Sequence, residues 1–304
     1  MKYAPILISI YDRKIHLIRL IKSLQKNVEA KETDLFIVSD AAHKHVHKQI
    51  VSNIRDYVTG IEGFKNVELI AREENMGPHN SILAAINYVF EKNDRLIFLE
   101  DDNFVSENFL AYLNEGLEFY KNHHSVLSIC GYNYPISIKN PSSKYSYFFP
   151  SYSAWGVGIW REKWEAVTQD VDFTRIGTEV KKERKQIEKK LGEHVYRAIS
   201  SMSKRQVYLG DVLWSYHCYK NNMVSVFPEV SKVRNYGHDG QGIHGGVNDK
   251  FINQQIDGNS KNFHFENEIS FNDEIYKSVL KYFSIPLYTK VKSYLKQIYL
   301  KIRK

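Results

Sequence analysis

Cysteine is nearly absent: Cys130 and Cys218 are the only two, far apart in sequence and without metal-ligand spacing. That argues against a disulfide framework and for a reducing compartment. No apolar stretch approaches the roughly 18 residues of a membrane-spanning helix. The N-terminus, Met1-Lys-Tyr-Ala-Pro-Ile6, runs into a strand pattern without the layout of a signal peptide. The expected location is therefore the cytoplasm. Also missing are a Gly-x-Gly-x-x-Gly after the first strand and a Gly-Lys-Ser/Thr loop, which disfavours a dinucleotide dehydrogenase and a P-loop NTPase. The chain holds no internal repeat and no low-complexity linker.

What is present suits a folded globular protein. At 304 residues the chain is long enough for one large α/β domain or two small ones. With 43% hydrophobic and 13% aromatic residues it is not a disordered sequence. Tyrosine (21) outnumbers phenylalanine (16), which fits a polar cleft with stacking surfaces or an aromatic core. The formal charge of +7 is uneven: eight Lys or Arg and no acid fall within 277–304, leaving the remainder near neutral. In that tail Tyr288, Val291, Leu295, Ile298 and Ile302 recur at helical spacing, with Lys290, Lys292, Lys296 and Lys301 between them. A basic amphipathic helix lies on anionic lipid, docks on a partner, or packs on its own domain. No nucleic-acid-binding motif accompanies it.

Strand and helix patterns alternate from the start. Pro5–Tyr11 reads as a strand, Leu17–Leu24 as a helix, Asp34–Ser39 as a strand and His45–Val58 as a helix. A strand over Val67–Ala71 and a helix over Asn80–Phe90 follow, the latter with Ile82, Leu83, Ile86 and Phe90 on one face and Asn80 as its cap. Alternation of this kind implies a parallel sheet between layers of helices. Past residue 125 the texture changes to aromatic strands and glycine turns. Residues 177–205 read as a charged, mostly helical, solvated element, and 237–248 as a glycine-rich loop that orders on ligand binding.

The most informative run is Arg95-Leu-Ile-Phe-Leu-Glu-Asp-Asp-Asn103. Leu96–Leu99 reads as a buried parallel strand, and Glu100, Asp101 and Asp102 follow at its carboxyl end, where open α/β sheets bind ligands. Adjacent carboxylates repel, so the cluster is costly unless a cation is shared. Hard divalent ions accept carboxylate and phosphate oxygens together.

Several segments resemble a GT-A fold glycosyltransferase, in particular the inverting N-acetylglucosaminyltransferase I type and bacterial polysaccharide sugar transferases. They are Ile6–Arg13, Ser39-Asp40, Arg72–Gly77, Glu100–Asp102 with Ser106-x-x-Phe109, Ser128–Asn133, Phe149–Trp160, Asp211–Trp214 and Arg234–His244. The resemblance spans roughly residues 5–247. It implies a Rossmann-like, mostly parallel sheet flanked by helices, with the basic amphipathic tail appended. A nucleotide-sugar-binding half is expected over 1–125, an acceptor-binding half over 126–275 and the tail over 276–304.

The resemblance also implies roles. Asp102 would bind Mn²⁺ or Mg²⁺, and His244 could complete that metal site. Tyr11, Asp12, Arg13, Asp40, Arg72, Asn75, Gly77, Asp101, Trp155 and Gly156 would form the donor pocket. Asp211 matches the general base, although an Asp before a helix also serves as an N-cap. The function implied is metal-dependent, inverting transfer from a nucleotide diphosphate sugar to a glycan or lipid-linked glycan. An anionic membrane surface reached through the tail, peripheral location at the inner face of the cell membrane, and a homodimer are further expectations. Two rival readings are a sugar-phosphate nucleotidyltransferase, which usually carries a Gly-rich basic loop that Ser9–Arg13 is not, and a non-catalytic carbohydrate- or nucleotide-binding module.

Overall fold

The computed structural model describes residues 3–142, 144–240 and 249–285. Ten strands and ten α-helices follow one another among these residues. The first half runs β1 (Ile6–Ile10), α1 (Lys14–Leu24), β2 (Asp34–Ser39), α2 (Lys48–Thr59), β3 (Asn66–Ala71), α3 (Gly77–Phe90), β4 (Arg95–Glu100), β5 (Asn103–Val105) and α4 (Phe109–Phe119). The second runs β6 (Val126–Cys130), β7 (Ser146–Phe149), β8 (Val157–Trp160), α5 (Arg161–Thr168), α6 (Phe173–Lys182), α7 (Arg184–Leu191), α8 (Glu193–Arg205), α9 (Gly210–Lys220), β9 (Val224–Pro228), β10 (Val233–Asn235) and α10 (Asp273–Tyr282).

Eight strands form one sheet in the order β3-β2-β1-β4-β8-β6-β9-β7. The β3-β2-β1-β4 half is parallel, as the alternating pattern predicts, and Leu96, Ile97, Phe98 and Leu99 are all buried. The other half is mixed, because β8 runs antiparallel between β4 and β6 and β7 antiparallel to β9. No helix separates β6 from β7, and the chain reverses direction there, since β9 is parallel to β6 and β7 antiparallel to β9. A second, two-stranded sheet pairs β10 antiparallel with β5, Asn235 opposite Asn103.

Three local expectations need correction. Helix α3 starts at Gly77, not at Asn80, because Pro78 presets its first turn; Asn80 instead donates to the Met76 carbonyl at 3.2 Å. The charged 177–205 stretch is not merely solvated. Its helices turn Ile176, Val180, Ile187, Leu191, Val195, Ile199 and Met202 into the core and keep their lysines outside. The expected boundary at 275/276 cuts α10, whose Ile275 and Val279 are buried, so the beginning of the supposed tail is part of the folded domain.

One stretch carries little signal in the sequence. Residues 249–272 form an extended strap held by Lys232, which is fully buried and lies 3.2 Å from Asp257 Oδ2. Phe263 and Phe265 of the strap pack on Tyr112.

Candidate active site

Strands β1 and β4 are parallel neighbours, with Ser9 opposite Glu100, so their carboxyl ends emerge side by side. That register brings Arg13 to the acids. Its Nη2 lies 2.7 Å from Asp101 Oδ1 and its Nη1 3.0 Å from Asp102 Oδ2. The cation that the acidic triplet demands is thus, in this structure, a guanidinium. The other Asp102 oxygen accepts from Asn235 Nδ2 at 2.7 Å. Asn235 went unassigned in the sequence, although it lies in the Arg234–His244 segment; its place follows from the β10–β5 pairing. At Gly237 a Cβ would overlap the Asp102 carboxylate, so the backbone can approach only as glycine.

The electrostatics remain unbalanced. Burial pushes the Asp101 carboxyl up to about 7 against the pull of Arg13. Glu100 is raised well above the usual carboxylate range, by burial first and then by Asp102, Asp211 and Asp101. The two aspartates hold the Arg13 guanidinium protonated despite its burial. Three carboxyls, Glu100, Asp101 and Asp102, therefore face one guanidinium.

A second cluster lies at the ends of β2 and β3. Asp40 Oδ1 accepts from the backbone N–H groups of Ala41 (2.9 Å) and Met76 (3.0 Å), and Asn75 Nδ2 reaches Asp40 Oδ2 at 3.2 Å. Arg72 Nη2 donates to the Ser81 carbonyl at 3.1 Å, and its buried Nε has no partner. Tyr11 Oη lies 2.7 Å from His47 Nδ1 and accepts from the His43 N–H. Gly77, at φ +74°, supplies the turn into α3. Arg55, which nothing in the sequence marks, ties the cluster together by donating to the carbonyls of Ser39 (3.1 Å), Asp40 (3.3 Å) and Arg72 (2.8 Å). Asp12 stands between Tyr11 and Arg13 and adds negative charge near Asp101.

Asp211 is in the first turn of α9, whose cap is Leu209, so it is not an N-cap. Its carboxyl accepts instead from the Ala154 N–H and is pushed up to about 6 by the protein packed around it, while the residue itself stays open to solvent. Two cavities meet at Asp211 and Tyr152 and share no other lining residue. The smaller, about 170 Å³, includes Glu100, His79 and Trp214. The larger, about 270 Å³, includes Tyr132, Trp155 and Tyr282.

Two expected donor residues sit elsewhere. Trp155 lines the larger cavity, its ring centroid 4.6 Å from that of Tyr132. Gly156 is buried at φ +71°, where a Cβ would meet Phe109 at 2.8 Å and Val233 at 2.9 Å, so the close packing here requires glycine.

For a metal, Asp101 and Asp102 offer two carboxyls in a site with more carboxyls than basic groups, which suits a hard ion that takes its remaining ligands from phosphate and water. Among the described residues no group of three His, Cys, Asp or Glu side chains forms a cage. His244 lies outside the described residues.

The family model described as glycosyl transferase family 2 matches residues 6–195. The crystal structure of S. aureus TarS is 19% identical with a TM-score of 0.32, over 50% of this chain and 25% of that chain. A second S. aureus TarS structure, of its residues 1–349, is 19% identical with a TM-score of 0.32, over 52% of this chain and 47% of that chain. The chain thus covers from a quarter to about half of the length of those solved proteins. No curated protein matches it.

Proposed function

The chain belongs to glycosyl transferase family 2, and from its glycosyltransferase activity we propose a metal-assisted, inverting transfer from a nucleotide diphosphate sugar to a glycan acceptor, in surface polysaccharide synthesis. The observation that carries the reading is the convergence of Glu100 and Asp211 on one cavity, beside the Arg13–Asp101–Asp102 cluster. The nucleotidyltransferase and the non-catalytic module give way to it.

In this reading the acceptor hydroxyl attacks the anomeric carbon as its proton passes to the Asp211 carboxylate. The bond from that carbon to the diphosphate oxygen breaks, and its electron pair leaves with the nucleoside diphosphate. A carboxyl pushed up to about 6 is a better proton acceptor than an ordinary aspartate and is still ionised at neutral pH. Arg13 places one positive charge beside the leaving group. Asp101 and Asp102 would hold Mn²⁺ or Mg²⁺, which when bound neutralises charge developing on the diphosphate. Tyr11, Asp12, Asp40, Arg72, Asn75 and Gly77 would surround the base and ribose, with residues 1–125 serving the donor and 126–275 the acceptor.

A thermal-shift screen against UDP-, GDP-, dTDP- and CMP-sugars, with and without Mn²⁺, tests the proposal. One sugar nucleotide should raise the melting temperature in a Mn²⁺-dependent way, and the product of its turnover should carry the inverted anomer. Stabilisation by none of the diphosphate sugars, stabilisation by a CMP-sugar alone, or a product of retained configuration overturns it.

A further inference from the structure

We infer that the larger cavity at Asp211 is a binding site for the acceptor's sugar ring and that α10 forms one of its walls. This rests on the transferase reading above and adds to it where the acceptor binds and which side chains select it.

The assignment follows from how the two cavities divide the acids. The smaller contains Glu100; the larger contains none of Arg13, Glu100, Asp101 or Asp102 and meets the smaller at Asp211 and Tyr152. In a displacement with inversion the nucleophile enters opposite the leaving diphosphate. The hydroxyl that gives its proton to Asp211 therefore approaches from the cavity that holds Asp211 but not the acidic triplet.

The lining suits a sugar. Pyranose rings present apolar C–H faces with hydroxyls at the edge, and aromatic side chains match such faces. Tyr134 lies 5.5 Å from Tyr282 and 4.9 Å from Phe283 between ring centroids, and Trp155 closes another side. Tyr132 is only 2% exposed, yet its Oη has no hydrogen-bond partner. A buried hydroxyl left unpaired is costly, and a sugar hydroxyl in this cavity would satisfy it.

The wall supplied by α10 is fixed. The His194 N–H donates to the Phe283 carbonyl at 3.1 Å. At Gly192, φ +92°, a Cβ would come within 2.8 Å of the Phe283 Cβ, so this close approach requires glycine. Helix α10 is thus docked against the start of α8, the helix whose Val195 and Ala198 also line the cavity.

The experiment uses the full chain and needs no identified acceptor. Binding of methyl β-glycosides of glucose, galactose and N-acetylglucosamine is measured by saturation-transfer NMR in the absence of donor. Affinity for the nucleoside diphosphate selected by the thermal-shift screen is measured separately by calorimetry. Tyr282→Ala should weaken the bound glycoside about tenfold, the effect of one lost aromatic or hydrogen-bonding contact, with nucleotide affinity retained. Tyr132→Phe removes a single oxygen and leaves the packing of α10 untouched, so it separates recognition from any loosening of the fold; it should weaken the same glycoside by several fold. Equal glycoside binding in both variants, displacement of the glycoside by the nucleotide sugar, or a wild-type protein that takes up none of the glycosides overturns the inference. Failure of every nucleotide sugar to bind the wild type is a separate result and removes the transferase reading instead.

Discussion

Asp211 stands where the two cavities meet, and its protonation sets the expected pH dependence. Its carboxyl lies at about 6, so the base is disabled below that pH and enabled above it. The acid limb of kcat/KM should rise with pH through about 6 and then level off. Asp211→Asn keeps the shape but accepts no proton; kcat should fall by ~10²–10⁴-fold with donor affinity little changed. If the variant melts much earlier and keeps its kcat, the base lies elsewhere. Asp102 carries the second prediction at this scale. Asp102→Ala removes one partner of Arg13 and one of Asn235, and should abolish turnover together with the Mn²⁺-dependent part of donor binding. Calorimetry with donor, with and without Mn²⁺, reads this directly. Full activity of the wild type in excess EDTA would contradict the metal role.

An ion pair with its lysine end buried helps to hold the strap over 249–272. Lys232 is fully buried, and burial pushes its ammonium down while Asp257 holds it up. Asp257 keeps its carboxyl at about 2, through Lys232 and the backbone N–H groups of Asn259 and Ser260. Since the folded value is below that of an unfolded aspartate, the pair's stabilisation is present above about pH 4 and is lost as pH falls toward 2. Asp257→Ala leaves a buried ammonium unpaired and should destabilise the fold by roughly 3 kcal/mol at neutral pH, measured by urea unfolding. At pH 2 the difference from the wild type should shrink; a pH-independent difference would mean that packing, not charge, holds the strap. Because the strap connects the glycine-rich loop to α10, its loosening should also weaken glycoside binding in the larger cavity.

Across the whole molecule, the family model ends at residue 195, while Asp211, Asn235 and α10 all follow it. Arg13, Asp40 and the Glu100–Asp102 triplet thus lie within the match, while Ala198, Asp211, Val212, Ser215, Tyr282 and Phe283 of the larger cavity lie beyond it. The charge distribution has the same asymmetry, because eight basic residues and no acid lie in 277–304. Residues 286–304 lie outside the described structure, and no described helix is long and apolar enough to cross a membrane. Deleting 286–304 should release the protein from anionic liposomes, with a salt-sensitive loss of roughly 1 kcal/mol per basic residue, and spare activity on a short soluble acceptor. Deleting from 276 should behave differently, because it removes the Tyr282 and Phe283 wall and the buried Val279. Liposome sedimentation at two salt concentrations, alongside turnover of both truncations, distinguishes the two segments.

The sequence by itself determined what depends on local pattern. Apolar runs gave β1, β2 and β4 within a residue of their observed bounds, and the parallel half of the sheet follows from their alternation with helices. The acids at the end of β4 were legible because three carboxylates after a buried strand demand a cation. Only the tertiary structure decided which cation is there: Arg13 lies 88 residues from Asp101 in sequence and meets it through the β1–β4 register. It likewise decided that Asp211 is held by Ala154 and does not cap its helix, that Gly156 packs on Phe109, and that Arg55 and Asn235 tie the loops together. These contacts join residues far apart in the chain. Each is fixed by strand order and helix docking, and neither leaves a trace in the spacing of neighbouring residues.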